Sequence, residues 1–357
     1  MNSLHNATNK TKTIQLNSFE ALLELPYHSP DIPFKPNKTA NVLELFAGAG
    51  GLALGLEKAG LKTQCLLEID KDAVATLRQN RPNWNIIHDD ISQVSFKEMS
   101  ADVVTGGFPC QSFSYAGKKL GLEDTRGTLF YEFARCVQEI QPKLFLAENV
   151  RGLISHQKGE TLKIIVSILE SLGYRVQYRL LNAVNYDVPQ KRERIIIVGV
   201  RPDMQFLYPA SSQKMLVLRD ALKDVPPSEG ITYSKKKAEV LKLVPPGGCW
   251  RDLPKNIQKK YMMKSYYGTG GKTGMARRIS WDEPSLTLTT SPSQKQTDRC
   301  HPDETRPFTV REYARIQTFP DDWEFMGGVT SQYKQIGNAI PVNFAYHLGR
   351  AIISALT

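Results

Sequence analysis

The chain has 357 residues, 41% of them hydrophobic and 23% charged, with 46 Lys or Arg against 36 Asp or Glu and a formal net charge of +10. That composition fits a soluble globular protein of one large domain or two, with enough core to need no covalent staples. The five cysteines, at 65, 110, 136, 249 and 300, are odd in number and scattered; none has metal-ligand spacing, so neither a metal site nor a disulfide framework is expected.

Residues 1–40 are polar, rich in Asn, Thr and Lys, and lack the apolar stretch of a signal peptide; they read as an N-terminal extension. No apolar run approaches the ~18 residues that span a bilayer. A cytoplasmic protein with reduced thiols is the expectation. From Asn41 to Arg201 short apolar runs alternate with helical patterns. VLEL (42–45), TQCLLEI (63–69), NIIH (85–88), DVVTG (102–106) and LFLAE (144–148) read as strands. Helices are expected at Leu52–Ala59, stopped by Gly60, at Asp72–Asn80, at Leu129–Ile140 and at Thr161–Leu172. RVQYRLL (175–181) and RIIIVGV (194–200) close the region as an antiparallel edge pair. Such alternation predicts an α/β fold, a mostly parallel Rossmann-like sheet with helices on both faces.

Residues 202–305 have little periodicity and many Gly, Pro, Ser, Lys and Tyr, and read as a smaller, separate, loop-rich module. Between Arg201 and Thr305 there are 18 basic and 11 acidic residues, so most of the net charge lies in under a third of the chain. A concentrated excess of that kind suits a phosphate-backbone partner. Helices return at Val310–Thr318 and Val342–Ala355, so the 41–201 domain is expected to be completed by 331–357, with 306–330 a hinge segment.

Two constellations carry chemistry. VLELFAGAGGLALGL (42–56) is strand, glycine turn and helix. Gly48, Gly50 and Gly51 let backbone approach a ligand, and the new helix offers unpaired N–H groups. Glu68, 20 residues after Gly48, stands where a carboxylate accepts from ribose hydroxyls, and Asp90 could meet a nucleobase amine. Gly48-x-Gly50-x-x-Ala53 also fits a nicotinamide-dependent oxidoreductase, so this end specifies only a nucleoside-containing cofactor. At the other end, GGFPCQSFS (106–114) places Cys110 on a sharp turn after a strand, where an α/β enzyme would carry a nucleophile. Glu148 ends a strand at the same rim, and Arg192 and Arg194 lie in QKRERIIIVG (190–199). Thiol, carboxylate and arginine together suit covalent attack on an electron-poor ring, the acid serving a ring nitrogen and an arginine an exocyclic oxygen.

With those residues the chain resembles the DNA (cytosine-5) methyltransferases of bacterial restriction-modification systems. The ordered blocks are ELFAGAGG (44–51), GGFPCQSFS (106–114), RGTLF (126–130), ENV (148–150), QKRERIIIVG (190–199), RPFTVREYARIQTFPD (306–321) and QIGNAIPVN (335–343). The resemblance implies S-adenosyl-L-methionine as cofactor. Phe46 and Ala47 with the glycine turn would line its pocket, Glu68 would take the ribose, Ile69 an adenine face, and Asp90 and Ile91 the adenine edge. Leu129 and Asn338 would lie near the methionine part. Cys110 would attack C6 of a cytosine flipped from duplex DNA, with Pro109 shaping the turn, Glu148 at N3 and the exocyclic amine, and Arg194 at O2. Ile69 departs from the family, which often has a larger aromatic there. The loop from Gln111, with Lys118 and Lys119, is expected to close over the DNA.

By the same resemblance, residues 202–305 form the target-recognition domain. Candidates for base or phosphate contact are Arg251, Arg277, Arg278, Gln294, Lys295, Gln296 and Arg299, with Thr287, Thr289 and Thr290 in the threonine-bearing stretch. A monomer is expected, with a cognate restriction endonuclease acting on the same site. A tRNA cytosine-5 methyltransferase is the nearest alternative; the oxidoreductase leaves Cys110, Glu148 and QKRER unexplained, and a non-catalytic DNA-binding regulator has no need of them.

Overall fold

The computed structural model describes residues 40–109, 129–269 and 273–357. Strands β1 (Asn41–Leu45), β2 (Lys62–Glu68), β3 (Ile86–His88), β4 (Val103–Gly106), β5 (Leu144–Val150), β6 (Arg175–Asn182), β7 (Gln190–Lys191), β8 (Glu193–Val200) and β9 (Ser285–Leu286) occur in that order. Seven of them form one sheet, ordered β3-β2-β1-β4-β5-β8-β6, and β7 pairs with β9. The first five are mutually parallel, whereas β8 runs antiparallel to both β5 and β6. Helices α1 (Gly51–Ala59), α2 (Lys71–Asn80), α3 (Leu129–Ile140), α4 (Gly152–Ser155), α5 (Glu160–Ser171), α6 (Leu218–Leu222), α7 (Lys235–Leu241), α8 (Lys255–Met262), α9 (Val310–Ile316), α10 (Val329–Asn338) and α11 (Val342–Leu356) complete the chain. No helix among the described residues is long and apolar enough to cross a membrane.

The period-2 alternation of the strands sorts their side chains between two cores. Val42, Val103, Leu144, Leu146, Ile196 and Val198 pack with Leu52 and Leu56 of α1 and with Phe344, Leu348 and Ile352 of α11. Leu43, Leu45, Val104, Phe145, Ala147, Ile195 and Ile197 pack with Phe130, Phe133 and Val137 of α3 and Ile165 and Leu169 of α5. The expected α/β sheet with helices on both faces is therefore present. The antiparallel pair at its edge is β6 with β8, and β8 is itself enclosed by β5.

After β1 the chain turns to β2 and β3 on one side and to β4 and β5 on the other. The order reverses between β1 and β4, so the crevice at their carboxyl ends is where an open α/β sheet binds ligands.

Beyond β8 the chain stays on the sheet for several residues, with Phe206 and Tyr208 in the first core and the Tyr208 hydroxyl donating to Ile196 O at 2.9 Å. A small core of Tyr233, Leu241, Val244, Leu253, Ala276 and Cys300 follows. It includes α7, which Ser234 caps by accepting from Lys237 N, and lies beside α8. Both helices are two turns long, too short for a periodic signature, which is why this stretch reads as loop.

Two positions make the packing testable. A methyl on Gly55 in α1 would sit 2.3 Å from Ala345 Cβ and 2.5 Å from Val342 O of α11. Gly55→Ala is expected to lower stability by about 1–3 kcal/mol, seen as a lower denaturant midpoint at unchanged m-value. Glu44, in the middle of β1, is buried, and its Oε2 has no hydrogen-bond partner among the described residues. Burial, and secondarily the charge of Glu68, hold its carboxyl well above the usual carboxylate range. The folded state thus binds this proton more tightly than the unfolded chain, and stability falls as pH rises from the unfolded towards the folded pKa. Glu44→Gln, neutral and nearly isosteric, is expected to abolish that decline and to raise Tm at and above neutral pH; melts of both proteins across the pH range check it.

Candidate active site

A cavity of about 980 Å3 opens at the switch point, at the large end of the usual range for small-molecule sites. Its floor is the turn after β1. Phe46 (φ 57°) and Gly48 (φ 55°) adopt left-handed conformations, and Ala47 N donates to Leu67 O at 3.1 Å, which ties the turn to β2. A side chain on Gly48 would point into open space, so its absence leaves bare backbone towards a ligand. The neighbouring glycines serve other needs. A methyl on Gly51 would sit 2.3 Å from Ile340 O, although Gly51 still lines the cavity. Gly50 (φ 81°) lies outside the lining, where a methyl would strike Leu77 at 2.7 Å. It caps α1 and lets Leu77 and Trp323 pack closely.

Glu68 ends β2 with its carboxylate held by three amides. Gly48 N donates to Oε2 at 2.7 Å, while Ile69 N and Asp70 N donate to Oε1 at 2.9 and 2.7 Å. These bonds fix the carboxylate and leave lone pairs on the cavity side. Ile69 is 63% exposed at the cavity edge, an apolar side chain without a partner surface among the described residues. Asp90 caps the short turn Ile91–Gln93, accepting from Ser92 N at 2.9 Å, a bond that holds its carboxyl below the usual range. Phe46, Ala47, Glu68, Ile69, Asp90, Ile91, Leu129 and Asn338 all line the same cavity, as their spacing in sequence had no means of showing.

The other wall is the turn after β4. Asn149 Nδ2 donates to Phe108 O at 2.8 Å and so fixes the backbone just ahead of Pro109, which lines the cavity. Cys110 follows Pro109 in the chain but lies outside the described residues, as do Gln111, Lys118 and Lys119. Glu148 Oε1 pairs with Arg194 Nε at 2.5 Å, with both side chains nearly buried at the cavity wall. The antiparallel register of β5 and β8 makes this pair, because it sets Val150 opposite Arg194. A methyl on Gly107 would lie 2.9 Å from Glu148 Oε2, so the glycine gives the carboxylate its room.

Arg192 takes a different place from the one expected. It is 1% exposed and outside the cavity lining, with Nη1 donating to Leu288 O at 3.0 Å and Nη2 to Gly337 O and Ala339 O at 2.9 and 3.0 Å. Burial, then the nearby Arg194 charge, push its pKa well below the usual arginine range. It is a structural tie, not a ring-facing group. Residues 202–305 show the same inversion. Arg278 is buried and donates to Leu241 O, Val244 O, His301 O and Thr305 Oγ1. Arg299 donates to Thr287 O and Asp298 O, and burial lowers its pKa to about 10. Arg277 forks onto both Glu283 oxygens at 2.6 and 2.7 Å. These three are corrected from DNA contacts to internal cross-links, since a loop-rich segment must satisfy buried carbonyls without a ladder. Arg251 is exposed, and Thr289 and Thr290 lie against Gly337 at the cavity rim.

Sequence reasoning passed over Glu44, Gly107, Asn149 and Lys334, all lining residues. Lys334 pairs with Asp70 at 2.8 Å and joins α10 to the end of β2. Each lies in or beside a motif block, which was the available signal.

Comparison with known proteins gives this geometry a family. A family model for C-5 cytosine-specific DNA methylase matches residues 40–354. The chain is 59% identical over 360 residues to the Type II methyltransferase M.Eco47II of Escherichia coli, covering 97% of this chain and 86% of that protein. It is 58% identical over 333 residues to the Type II methyltransferase M.Sau96I of Staphylococcus aureus, covering 90% and 77%. Among solved structures, the Entamoeba histolytica methyltransferase EhMeth superposes with a TM-score of 0.65 at 16% identity, over 90% of this chain and 100% of that one. The S. pombe Dnmt2 methyltransferase gives 0.62 at 17%, over 89% and 99%; at these identities the likeness concerns the fold. On the span of the family model and the identity to its relatives, the chain is a member of the C-5 cytosine-specific DNA methylase family.

Proposed function

We infer that this protein is a site-specific DNA (cytosine-5-)-methyltransferase that modifies a cytosine in double-stranded DNA as part of a restriction-modification system. The observation that carries the reading is the Glu148–Arg194 pair, set in the same cavity wall as the turn that leads into Cys110 and facing the Glu68 cradle. The residues present suit S-adenosyl-L-methionine: bare backbone at Gly48, a fixed carboxylate at Glu68 for ribose hydroxyls, and Ile69 with Phe46 as apolar surface for an adenine. When bound, that cofactor supplies a sulfonium-activated methyl group.

The protein's part follows from the chemistry of the ring. Cytosine C5 is a poor nucleophile, and addition at C6 makes it enamine-like. The Cys110 thiolate forms the S–C6 bond, and Glu148 holds a proton at N3 and accepts from the exocyclic amine. Arg194, already fixed by its bond to Glu193 O, is placed for O2. After C5 is methylated, its proton leaves to a base, the S–C6 bond breaks and aromaticity returns. None of this reaches a stacked base, so the cytosine must leave the duplex. Residues 202–305 select the target, a cognate endonuclease cuts the same site when unmethylated, and the enzyme acts as a monomer.

Tritiated S-adenosyl-L-methionine offered with duplex DNA or tRNA tests the substrate, with label expected in the cytosines of DNA; label in tRNA alone overturns the reading. Cys110→Ser is expected to lose essentially all methylation while still binding the cofactor. Glu148→Gln is expected to lower kcat by about 10²–10⁴-fold with cofactor affinity unchanged, measured by single-turnover kinetics and equilibrium binding.

A further inference from the structure

We propose that the loop from Ser291 to Thr297 reads base edges beside the target cytosine, with Gln294, Lys295 and Gln296 as the reading side chains. The inference rests on the DNA reading above and deepens it.

Elimination comes first. Arg277, Arg278 and Arg299 are engaged internally, so the most conspicuous cations of the module are not available to bases. Gln294, Lys295 and Gln296 are instead three consecutive exposed residues. Gln294 Oε1 accepts from Thr297 Oγ1 at 3.3 Å, and Lys295 Nζ lies over the Tyr261 ring and 3.7 Å from Met263 Sδ, all surface contacts. The Gln296 side chain makes no hydrogen bond among the described residues.

Placement comes next. Thr289 O and Thr290 N lie so close to Gly337, which lines the cavity, that a methyl there would sit 2.3 and 2.8 Å from them. The loop leaves from this point. Five residues from Thr290 to Lys295 span at most ~17 Å, about five base-pair steps of a duplex. The loop also returns towards its start, since Thr289 Oγ1 lies 3.4 Å from Thr297 Oγ1. It therefore sits within a few base pairs of any cytosine held at the cavity.

Rigidity is the third observation. Lys237 Nζ donates to Ser293 O at 2.8 Å and is itself paired with the buried Asp298. Thr289 Oγ1 donates to Ser291 O at 2.9 Å, Thr297 N to Gln294 O at 3.1 Å, and Pro292 is buried. A reading group needs such a fixed base with mobile atoms only at its tip.

The side-chain chemistry favours bases over phosphates. Glutamine amides pair with a donor and an acceptor together, as adenine presents them, and a lysine suits guanine O6 and N7. Phosphate contact calls for cations, and the exposed Lys255, Lys259, Lys260 and Lys264 of α8 and the turn after it provide them nearby.

The test uses the full-length protein, with the wild type's own site defined by bisulfite sequencing of plasmid from an expressing host. The variant Gln294→Ala/Lys295→Ala/Gln296→Ala is expected to lose about 5- to 150-fold in kcat/KM at that site, the equivalent of 1–3 kcal/mol. It should also discriminate less against sites altered at one flanking base pair. Lys259→Ala is expected to weaken all sequences alike and to reduce the salt slope by about 1. Unchanged selectivity in the triple variant, or a uniform loss like that of Lys259→Ala, overturns the proposal. Retained S-adenosyl-L-methionine binding certifies the fold; where the triple variant lacks it, Gln296→Ala alone carries the same readout. A wild type that methylates no DNA overturns the functional reading itself, a result distinct from either.

Discussion

A buried guanidinium without a carboxylate partner among the described residues holds the two halves of the site together. Arg192 enters from the loop before β8 and donates to Leu288 O, just after β9, and to Gly337 O and Ala339 O at the end of α10. Removing a cation from water costs several kcal/mol unless its donors are satisfied; here three carbonyls from two distant segments accept from both Nη groups, while Nε has no partner among the described residues. Gln190 and Gln317 extend the seam: Gln190 Nε2 donates to Gln317 Oε1, whose own amide donates to Ile336 O and Ala339 O. Gly337, Asn338 and Ala339 form one wall of the cavity, so the wall stands where this seam puts it.

The direction of β8 decides the reactive end. Had it run parallel to β5, its first residues would lie at the amino-terminal rim, a full strand away from Glu148. Antiparallel pairing brings the start of β8 to the end of β5, and Arg194 meets Glu148 there. The short connection from β6 through β7 makes this orientation cheap in chain, since antiparallel neighbours need no crossover helix. The pairing of Glu148 with Arg194 is therefore a consequence of one reversed strand in a parallel sheet.

Much of this was legible beforehand, and the parts that were not share a cause. The strands from Val42 to Val200 alternate or run apolar, and the long helices end in Gly60 or begin at Val342 beside Pro341, so local pattern and fold agree. The glycine turn, Glu68 and Glu148 could be assigned because strand ends on one sheet share a rim. Charge count, by contrast, says nothing of burial. Arg278 and Arg299 look like DNA ligands in sequence and Arg192 like a ring-facing cation, and all three are internal donors in the fold. Gly50 looks like a ligand glycine and serves helix packing. For Arg192, Arg278 and Gly50 the deciding partners lie tens of residues away, beyond any local window, whereas Arg299 folds back on the nearby Thr287 and Asp298 carbonyls.

The same internal arginines explain how a loop-rich module holds its backbone in place. Its backbone is held by three buried side chains: Arg278 and Arg299 donate to carbonyls, and Asp298 accepts from the Ala276 amide. Exposed positions on such a scaffold take no part in holding it, and substitution at exposed sites of this sort shifts stability by only about 0.5 kcal/mol either way. Exposed side chains can then change while the Arg192 seam and the cavity stay fixed. Where scaffold and exposed surface are separate residues, a change of surface does not act against folding, and the cavity need not adjust when it occurs.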